Sequence, residues 1–80
     1  MYFVYIIKSL KDGTFYKGIT SDLKARLKAH NAGNVRSTKS RRPWTLPYYE
    51  NFQTKKEALQ REKFFKSYKG YLWLKKNGFF

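Results

Sequence analysis

Two runs of strand-forming residues at the start of the chain, joined by an Asp-Gly pair, constrain the fold more than any other feature. Residues 2–8 are rich in aromatic and β-branched side chains, and residues 14–20 have a similar character. Asp12 and Gly13 lie between them, and an Asp-Gly pair is typical of a tight hairpin turn. The chain is therefore predicted to begin with an antiparallel β-hairpin.

The register of this hairpin decides which side chains lie together. A two-residue turn at Asp12 and Gly13 would pair Lys11 with Thr14. Because side chains alternate between the faces of a strand, the residues that then share one face are Tyr5, Ile7, Tyr16 and Gly18. A three-residue loop would reverse this arrangement.

A first helix is predicted directly after the hairpin. Thr20, Ser21 and Asp22 are a typical helix start, with a hydroxyl cap followed by an acid in the first turn. The helix is predicted to end near Asn31, because Gly33 suits the left-handed position that follows a helix. One stripe of this helix carries Leu23, Leu27 and His30, with Arg26 at its side.

The middle of the chain is predicted to be a basic loop followed by an edge strand. Residues 33–45 have four basic side chains, little apolar content, and glycine and proline breakers. The segment from Trp44 to Phe52 predicts a third strand. Pro47 within it indicates an edge position, because proline cannot donate to a strand ladder.

The last third of the chain is predicted to be helical. Thr54 and Glu57 form a capping box that opens a second helix. The side of this helix that faces the core is predicted to carry Ala58, Arg61, Phe65, Tyr68 and Leu72. Gly70 is predicted to interrupt the helix and to leave a short third helix, Tyr71–Asn77, closed by Gly78.

These elements predict an α+β fold with a three-stranded, mostly antiparallel sheet flanked by helices, in the order ββα-loop-βαα. Residues 1–80 are expected to form a single domain, because a chain of this length builds one core. Seven Tyr, seven Phe and two Trp residues supply the large buried area per side chain that so small a core needs.

The charge of the chain points to a polyanionic partner. Eighteen Lys and Arg residues against five Asp and Glu residues give a net charge of +13 at pH 7. Nucleic acid is the commonest polyanion that such a surface binds, and we expect DNA, with RNA as an alternative. A ribosome or an acidic membrane could use the same charge, but no segment has the pattern of a membrane-bound helix. No obligate protein partner is indicated.

The sequence favours a cytoplasmic protein. It contains no cysteine, which excludes disulfides and cysteine-based metal sites and fits a reducing compartment. No apolar run approaches the ~20 residues of a membrane span. The first residues also lack the charged and apolar regions of a secretory signal.

Among the five acidic residues, Glu62 is the one without a local structural duty. The acids predicted to serve the hairpin turn and the two helix starts are Asp12, Asp22 and Glu57. Glu50 lies on the predicted edge strand. Glu62 borders the apolar face of the second helix, where a carboxylate needs a partner. From position alone, an ion pair with an arginine or lysine and a metal site are both open.

Four further residues of interest also have ordinary structural interpretations. Tyr5 and Tyr16 could pack in the core with their hydroxyl groups at its rim. Arg26 could lay its stem on the apolar stripe and keep its charge in water. His30 could be a half-buried histidine. The functional alternative is that Arg26 clamps a phosphate, with His30 one helical turn away facing the same spot.

The five residues Tyr5, Tyr16, Arg26, His30 and Glu62 occur in an order that resembles the GIY-YIG nuclease family. Tyr16 follows Tyr5 by eleven positions, Arg26 follows ten positions later, and Gly18 matches the signature glycine. The resemblance covers nearly the whole chain. It is closest to small stand-alone members that are related to the N-terminal nuclease domain of the bacterial excision-repair subunit UvrC.

The resemblance implies a metal-dependent endonuclease that hydrolyses phosphodiester bonds in DNA, with a role in repair or in the processing of structured DNA. Glu62 would hold Mg²⁺ (or Mn²⁺), which needs only one or two protein carboxylates. Arg26 would bind the scissile phosphate. Tyr5, assisted by Tyr16 and His30, would orient and deprotonate the attacking water. Arg26, metal-bound water and nearby lysines are expected to lower the tyrosine pKa for that step.

These five residues are expected to converge on one concave, basic surface. The residues expected to contact nucleic acid around it are Lys17, Gly18, Arg36, Lys39, Arg41, Arg42 and Lys66. Gly18, lacking a side chain, would let substrate or the first helix approach the sheet. Two other functions stay open: a non-catalytic basic nucleic-acid-binding module with a vestigial nuclease site, and a small structural protein of a ribonucleoprotein.

Overall fold

The computed structural model describes residues 1–79 and has the predicted α+β architecture. Its elements are β1 (Tyr2–Ser9), β2 (Phe15–Thr20), α1 (Leu23–Ala32), a 3₁₀ turn (Lys39–Arg41), β3 (Trp44–Phe52), α2 (Lys55–Phe65) and α3 (Tyr68–Lys76). The strands form one antiparallel sheet in the order β2-β1-β3, so β3 is an edge strand, as Pro47 predicts. None of the helices in the described residues is long and apolar enough to cross a membrane.

The hairpin loop is wider than the sequence predicts. Ser9, not Lys11, pairs with Thr14: Ser9 N donates to Thr14 O at 2.8 Å, and Gly13 N donates to Ser9 O at 2.9 Å. The buried Ser9 hydroxyl accepts from the backbone N–H groups of Lys11 and Asp12 and so stabilises the longer loop. The predicted two-residue turn is therefore wrong.

The predicted shared face is nevertheless confirmed. The register moves by an even number of residues, which preserves the side on which each residue lies. Tyr5 pairs directly with Gly18, and Ile7 pairs with Tyr16. Leu23 of α1 packs against this side of the sheet, so α1 covers the face that carries the two tyrosines.

The sheet separates two apolar clusters. The buried members of the cluster facing α2 and α3 are Val4, Ile6, Ala58, Phe65 and Leu74. The buried members of the cluster facing α1 are Tyr5, Ile7 and Trp44. Leu23 and Leu27 pack against the second cluster, and His30 is fully buried beside it. The predicted stripe on α1 is therefore confirmed.

Helix α1 begins differently from the prediction. Asp22 is the capping residue, and its side chain accepts from Ala25 N at 3.1 Å. The Thr20 hydroxyl accepts from Asp22 N just outside the helix, so it cannot serve as the cap. The end of the helix is as predicted, because Gly33 follows Ala32 with a φ angle of 80°.

The junction between α2 and α3 lies earlier than the sequence predicts. Helix α2 ends at Phe65, and Ser67 caps α3 by accepting from Gly70 N at 3.3 Å. Gly70 is buried inside α3, where a Cβ would collide with the backbone of Phe64 and Phe65. Gly70 thus permits the close approach of the two helices, and the prediction that it interrupts a helix is wrong.

Helix α2 starts as predicted, but its apolar side is shorter. The Thr54 hydroxyl accepts from Glu57 N at 3.2 Å and completes the cap. Ala58 is fully buried on the predicted side. Tyr68 and Leu72 are 73% and 44% exposed, because the chain changes direction before α3 and turns them towards solvent. Their assignment to the core-facing side is therefore wrong.

The basic loop between α1 and β3 is attached to the rest of the fold at several points. Trp44 N donates to Asn31 Oδ1 at 2.6 Å, and Asn31 Nδ2 donates to Trp44 O at 3.1 Å. The Arg41 guanidinium lies 5.1 Å from the centre of the Trp44 ring, and Ser9 Oγ donates to Arg41 O. Thr38, in the middle of the loop, is fully buried.

Candidate active site

The hydroxyl group of Tyr5 is the centre of the candidate active site. Tyr5 lies on the middle strand, and its ring crosses over Gly18 of β2. A Cβ at position 18 would collide with the Tyr5 hydroxyl, so this placement requires glycine. The sequence predicts that substrate or α1 approaches the sheet at Gly18, and in the structure the Tyr5 ring lies between Gly18 and α1. Gly18 is consequently buried, away from the surface that nucleic acid would contact.

Two side chains of α1 converge on this hydroxyl. Arg26 Nε donates a hydrogen bond to Tyr5 Oη at 3.2 Å. His30 Nε2 lies 2.9 Å from the same oxygen. Arg26 and His30 are four residues apart and therefore lie on one face of the helix, as the sequence predicts.

Tyr16 completes an aromatic cluster around His30. Its ring centre lies 5.2 Å from that of His30 and 6.4 Å from that of Tyr5. Trp44 closes another side of His30 at 6.4 Å. His30 and Tyr5 are 0% and 2% exposed, whereas Arg26 and Tyr16 are only partly buried. Four of the five predicted site residues thus form one contact network.

Burial raises the pKa of the Tyr5 hydroxyl above its ordinary value of 10.0. The hydrogen bond and charge of Arg26 oppose this shift, while the charges of Tyr16 and Glu62 reinforce it. The prediction that neighbouring cationic side chains lower the pKa of this tyrosine is therefore wrong, because desolvation raises the pKa by more than Arg26 lowers it. Tyr5 is protonated at neutral pH, and it can accept a proton only if it gives up its own.

His30 is positioned to receive that proton. Burial, and secondly the charge of Arg26, lower the pKa of His30 to about 4, so the imidazole is neutral at physiological pH. Its Nδ1 lies 2.7 Å from the hydroxyl of Thr38, which is fully buried. Nothing in the sequence predicts Thr38 as a site residue, because a threonine in a polar loop carries no signal of such a contact.

The buried His30 should make the fold sensitive to acid. In the unfolded chain its pKa returns to about 6.5, so the unfolded state binds a proton at higher pH than the folded state does. The free energy of unfolding should therefore fall between about pH 7 and pH 4, by up to about 3 kcal/mol from this residue. Urea unfolding gives the free energy of unfolding of the wild type and of His30→Gln at each pH over that range. The wild type should lose more stability than the variant as the pH falls, and two parallel plots of free energy against pH would contradict the prediction.

Glu62 approaches this network from α2. Its carboxylate is close enough to contribute to the raised pKa of Tyr5. Only 18% of its side chain is exposed, and Lys66 lies 3.6 Å away, one helical turn further on. This ion pair is the structural role that the sequence left open. It is weak, because the Lys66 side chain is 55% exposed to water.

Within the described residues, one side-chain carboxylate near Tyr5 is available to a divalent metal. Within residues 1–79, no three His, Cys, Asp or Glu side chains gather into a metal site. Arg61 holds Glu50 at 2.8 Å, and the other acids whose carboxylates accept hydrogen bonds in a turn or a helix cap are Asp12, Asp22 and Glu57. Glu62 is a hard oxygen donor whose charge acts on Tyr5, and it fits Mg²⁺ or Mn²⁺, since such ions take most of their ligands from water and phosphate.

The residues predicted to contact nucleic acid fall into two groups, apart from the buried Gly18. Lys17 of β2 and Lys66, the residue that follows α2, lie close enough for their charges to interact: burial lowers the pKa of Lys17, and the charge of Lys66 lowers it further. The second group lies in the basic loop and consists of Arg36, Lys39, Arg41 and Arg42. Arg41 is partly buried, and the other three are exposed. No enclosed pocket opens around Tyr5 in the part of the chain that the structure describes, and the shallower concave surface stays a prediction.

The site combines groups that suit phosphate-ester chemistry. A tyrosine lies between an arginine and a neutral histidine, and one carboxylate lies nearby on a basic protein. Residues 1–77 match the family model described as the GIY-YIG catalytic domain. The chain therefore belongs to the GIY-YIG family of nucleases, and nucleic acid is the substrate class that this membership implies.

Several bacterial proteins are similar to this chain. The UPF0213 protein YazA of Bacillus subtilis (strain 168) is 47% identical over 66 residues, which are 81% of this chain and 66% of that protein. A UPF0213 protein of Staphylococcus aureus (strain Mu3) is 47% identical over 68 residues, covering 84% and 82% of the two chains. The chain thus spans about two thirds of the Bacillus relative. These names state no activity.

A solved structure supports the fold. The solution NMR structure of the UPF0213 protein BH0048 from Bacillus halodurans has a TM-score of 0.57 with this chain and is 33% identical to it. The similarity covers 98% of this chain and 86% of that protein. The three antiparallel strands and three helices match that neighbour, which confirms the fold class predicted from the sequence.

Proposed function

We propose that residues 1–80 act as a single nuclease domain, a divalent-metal-dependent endonuclease that hydrolyses phosphodiester bonds in DNA. The observation that carries the proposal is the Tyr5 hydroxyl, held 3.2 Å from Arg26 Nε and 2.9 Å from His30 Nε2. We place the activity in the cytoplasm, in the repair or processing of structured DNA.

Arg26 binds the scissile phosphate in this proposal. Its Nε is engaged by Tyr5, which holds the guanidinium in one orientation and leaves the terminal nitrogens to donate to phosphate oxygens. Both tyrosines keep the pKa of Arg26 above its ordinary value, so the group stays charged as negative charge grows on the phosphate.

Tyr5 relays a proton. As water attacks phosphorus, its proton passes to Tyr5 Oη while the phenolic proton passes to His30 Nε2. Tyr5 thus remains neutral throughout, which suits a hydroxyl whose pKa is raised by burial. His30 becomes an imidazolium close to Arg26, and the negative phosphate on Arg26 offsets the repulsion between the two cations.

Glu62 would hold the metal ion, Mg²⁺ or Mn²⁺. When bound, the ion supplies positive charge that stabilises the transition state and the leaving oxygen. Lys66, paired with Glu62 in the structure, would turn from the carboxylate towards the nucleic acid backbone when the metal replaces it. Tyr16 packs against His30 and limits the access of water to the relay.

A cleavage assay tests the proposal directly. Supercoiled plasmid, nicked duplex, branched DNA, single-stranded DNA and single-stranded RNA are incubated with the protein and Mg²⁺, Mn²⁺ or EDTA. We expect metal-dependent cutting of at least one DNA substrate. Binding without cutting on every substrate would instead support a nucleic-acid-binding module with a vestigial site. Cutting of RNA alone would reassign the substrate.

Binding should be general and strongly dependent on salt. Six cationic side chains are predicted to contact the nucleic acid backbone, namely Lys17, Arg36, Lys39, Arg41, Arg42 and Lys66. Six phosphate contacts release enough counterions to weaken binding by about 10³-fold between ~50 and ~200 mM salt. Fluorescence anisotropy with two unrelated DNA sequences, over a salt series, measures this slope. A flat slope, or a strong preference for one sequence, would contradict backbone-directed binding.

A further inference from the structure

Thr38 lies outside the motif residues and yet contacts the candidate site. It belongs to the basic loop, and its side chain is fully buried. Its hydroxyl oxygen lies 2.7 Å from His30 Nδ1, which is the ring nitrogen opposite to the one beside Tyr5. A neutral imidazole has one N–H group and one acceptor nitrogen, so this contact bears on which nitrogen faces Tyr5 as an acceptor.

One arrangement of protons satisfies every donor in this chain of contacts. Arg26 Nε donates to Tyr5 Oη, and Tyr5 donates to His30 Nε2. His30 Nδ1–H then donates to Thr38 Oγ1, and the Thr38 hydroxyl donates to Val35 O at 3.4 Å. Each buried proton has an acceptor, as buried polar groups require.

The opposite tautomer satisfies fewer groups. With the proton on Nε2, His30 would donate to Tyr5 Oη, which already accepts from Arg26. The Tyr5 hydroxyl proton would then point away from His30, with no acceptor in this chain of contacts, although Tyr5 is only 2% exposed. An unpaired buried donor is unfavourable, so the tautomer with Nδ1–H is preferred.

The backbone of Thr38 is itself held in place. Trp44 Nε1 donates to Thr38 O at 3.1 Å, and Arg41 N donates to the same oxygen at 3.1 Å. Thr38 N donates to Val35 O at 3.1 Å. The loop therefore presents the hydroxyl to His30 from a fixed position and does not depend on a mobile side chain.

We propose that Thr38 is a positioning residue that holds His30 in the Nδ1–H tautomer, so that Nε2 is free to accept the phenolic proton of Tyr5. The catalytic meaning of this tautomer rests on the proposed nuclease function. The tautomer itself can be measured without any reaction, so the two ideas fail separately.

NMR of the wild-type protein tests the tautomer directly. The chain has one histidine, so a long-range ¹H–¹⁵N correlation spectrum of the side chain reports on His30 alone. At neutral pH we expect one protonated nitrogen, Nδ1, and an unprotonated Nε2. A protonated Nε2 in the wild type would overturn the proposal, and this result needs no variant.

Three variants test the part played by the Thr38 hydroxyl. Thr38→Val removes the acceptor at nearly constant volume, and we expect Nε2–H to appear in the spectrum. Thr38→Ser keeps the hydroxyl and should retain the wild-type tautomer. Thr45→Val is the matched control, because Thr45 is an exposed threonine on β3. An unchanged tautomer in folded Thr38→Val would overturn the proposal. If Thr38→Val does not fold, Thr38→Ala gives the same comparison.

Cleavage rates connect the tautomer to the reaction. For Thr38→Val we expect a fall of about 10- to 100-fold at unchanged DNA affinity, with recovery in Thr38→Ser, as is typical of residues that orient a reacting group. If the wild type does not cut DNA, the tautomer results still decide the role of Thr38. A changed tautomer with an unchanged rate would overturn its positioning role in catalysis.

Discussion

Replacing Glu62 with Gln is expected to abolish metal-dependent cleavage while DNA affinity stays level or rises slightly. The substitution removes the charged ligand that a divalent cation needs, and it leaves all eighteen cationic side chains in place. Loss of one negative charge makes the surface more attractive to a polyanion. The ion pair with Lys66 contributes only about 0–1 kcal/mol because the Lys66 side chain is largely exposed to water, so the melting temperature should change little.

Glu57→Gln is the matched control for this experiment. It removes the same charge from the same helix, and the glutamine Oε1 can still accept the hydrogen bond that the Thr54 hydroxyl donates to Glu57. Plasmid cleavage, DNA anisotropy and thermal melting are measured for both variants. Equal loss of cleavage in both would contradict a ligand role for Glu62. A large fall in the melting temperature of Glu62→Gln alone would favour the structural role of its ion pair.

Replacing Tyr5 with Phe is expected to lower the cleavage rate by about 10²- to 10⁴-fold, the usual contribution of a positioned proton-transfer group. The phenyl ring still fills the space over Gly18, so the sheet and its packing should be retained. DNA affinity should change little, because the hydroxyl acts on the transition state more than on bound substrate. Single-turnover rates at saturating protein separate the chemical step from binding.

Tyr49→Phe is the control for the tyrosine substitution. Tyr49 pairs with Tyr5 across the sheet, and it is 50% exposed, so the same hydroxyl is removed from an adjacent position. We expect Tyr49→Phe to cut at the wild-type rate. If Tyr5→Phe also cuts at that rate, the relay through Tyr5 and His30 is wrong, and another group deprotonates the water.

The features that the sequence predicts correctly depend on the periodicity of side chains along a strand or a helix. Strand alternation places Tyr5 and Tyr16 on one face even though the loop between them was predicted too short. Helical periodicity likewise places Arg26 and His30 on one side of α1. These relationships lie within a hairpin or a helix, so local spacing is enough to predict them.

The features that the sequence did not predict depend on contacts between distant segments. The raised pKa of Tyr5 follows from burial under α1, which reverses the effect expected from nearby cations. Thr38 reaches His30 because Trp44 and Arg41 hold its backbone. The helix junction at Ser67 follows from the packing of Gly70. None of these contacts has a periodicity that a sequence pattern can reveal.

Because Tyr5 packs directly on Gly18, the geometry of the candidate active site depends on the residue at this one position. A side chain at position 18 would displace the Tyr5 ring from β2. The Tyr5 hydroxyl oxygen would then move away from Arg26 and His30, which both contact it. A related protein could therefore keep all five site residues and still lose activity through a substitution of this glycine alone. A survey of natural variants for lost activity should therefore inspect this glycine as well as the acid and the tyrosines.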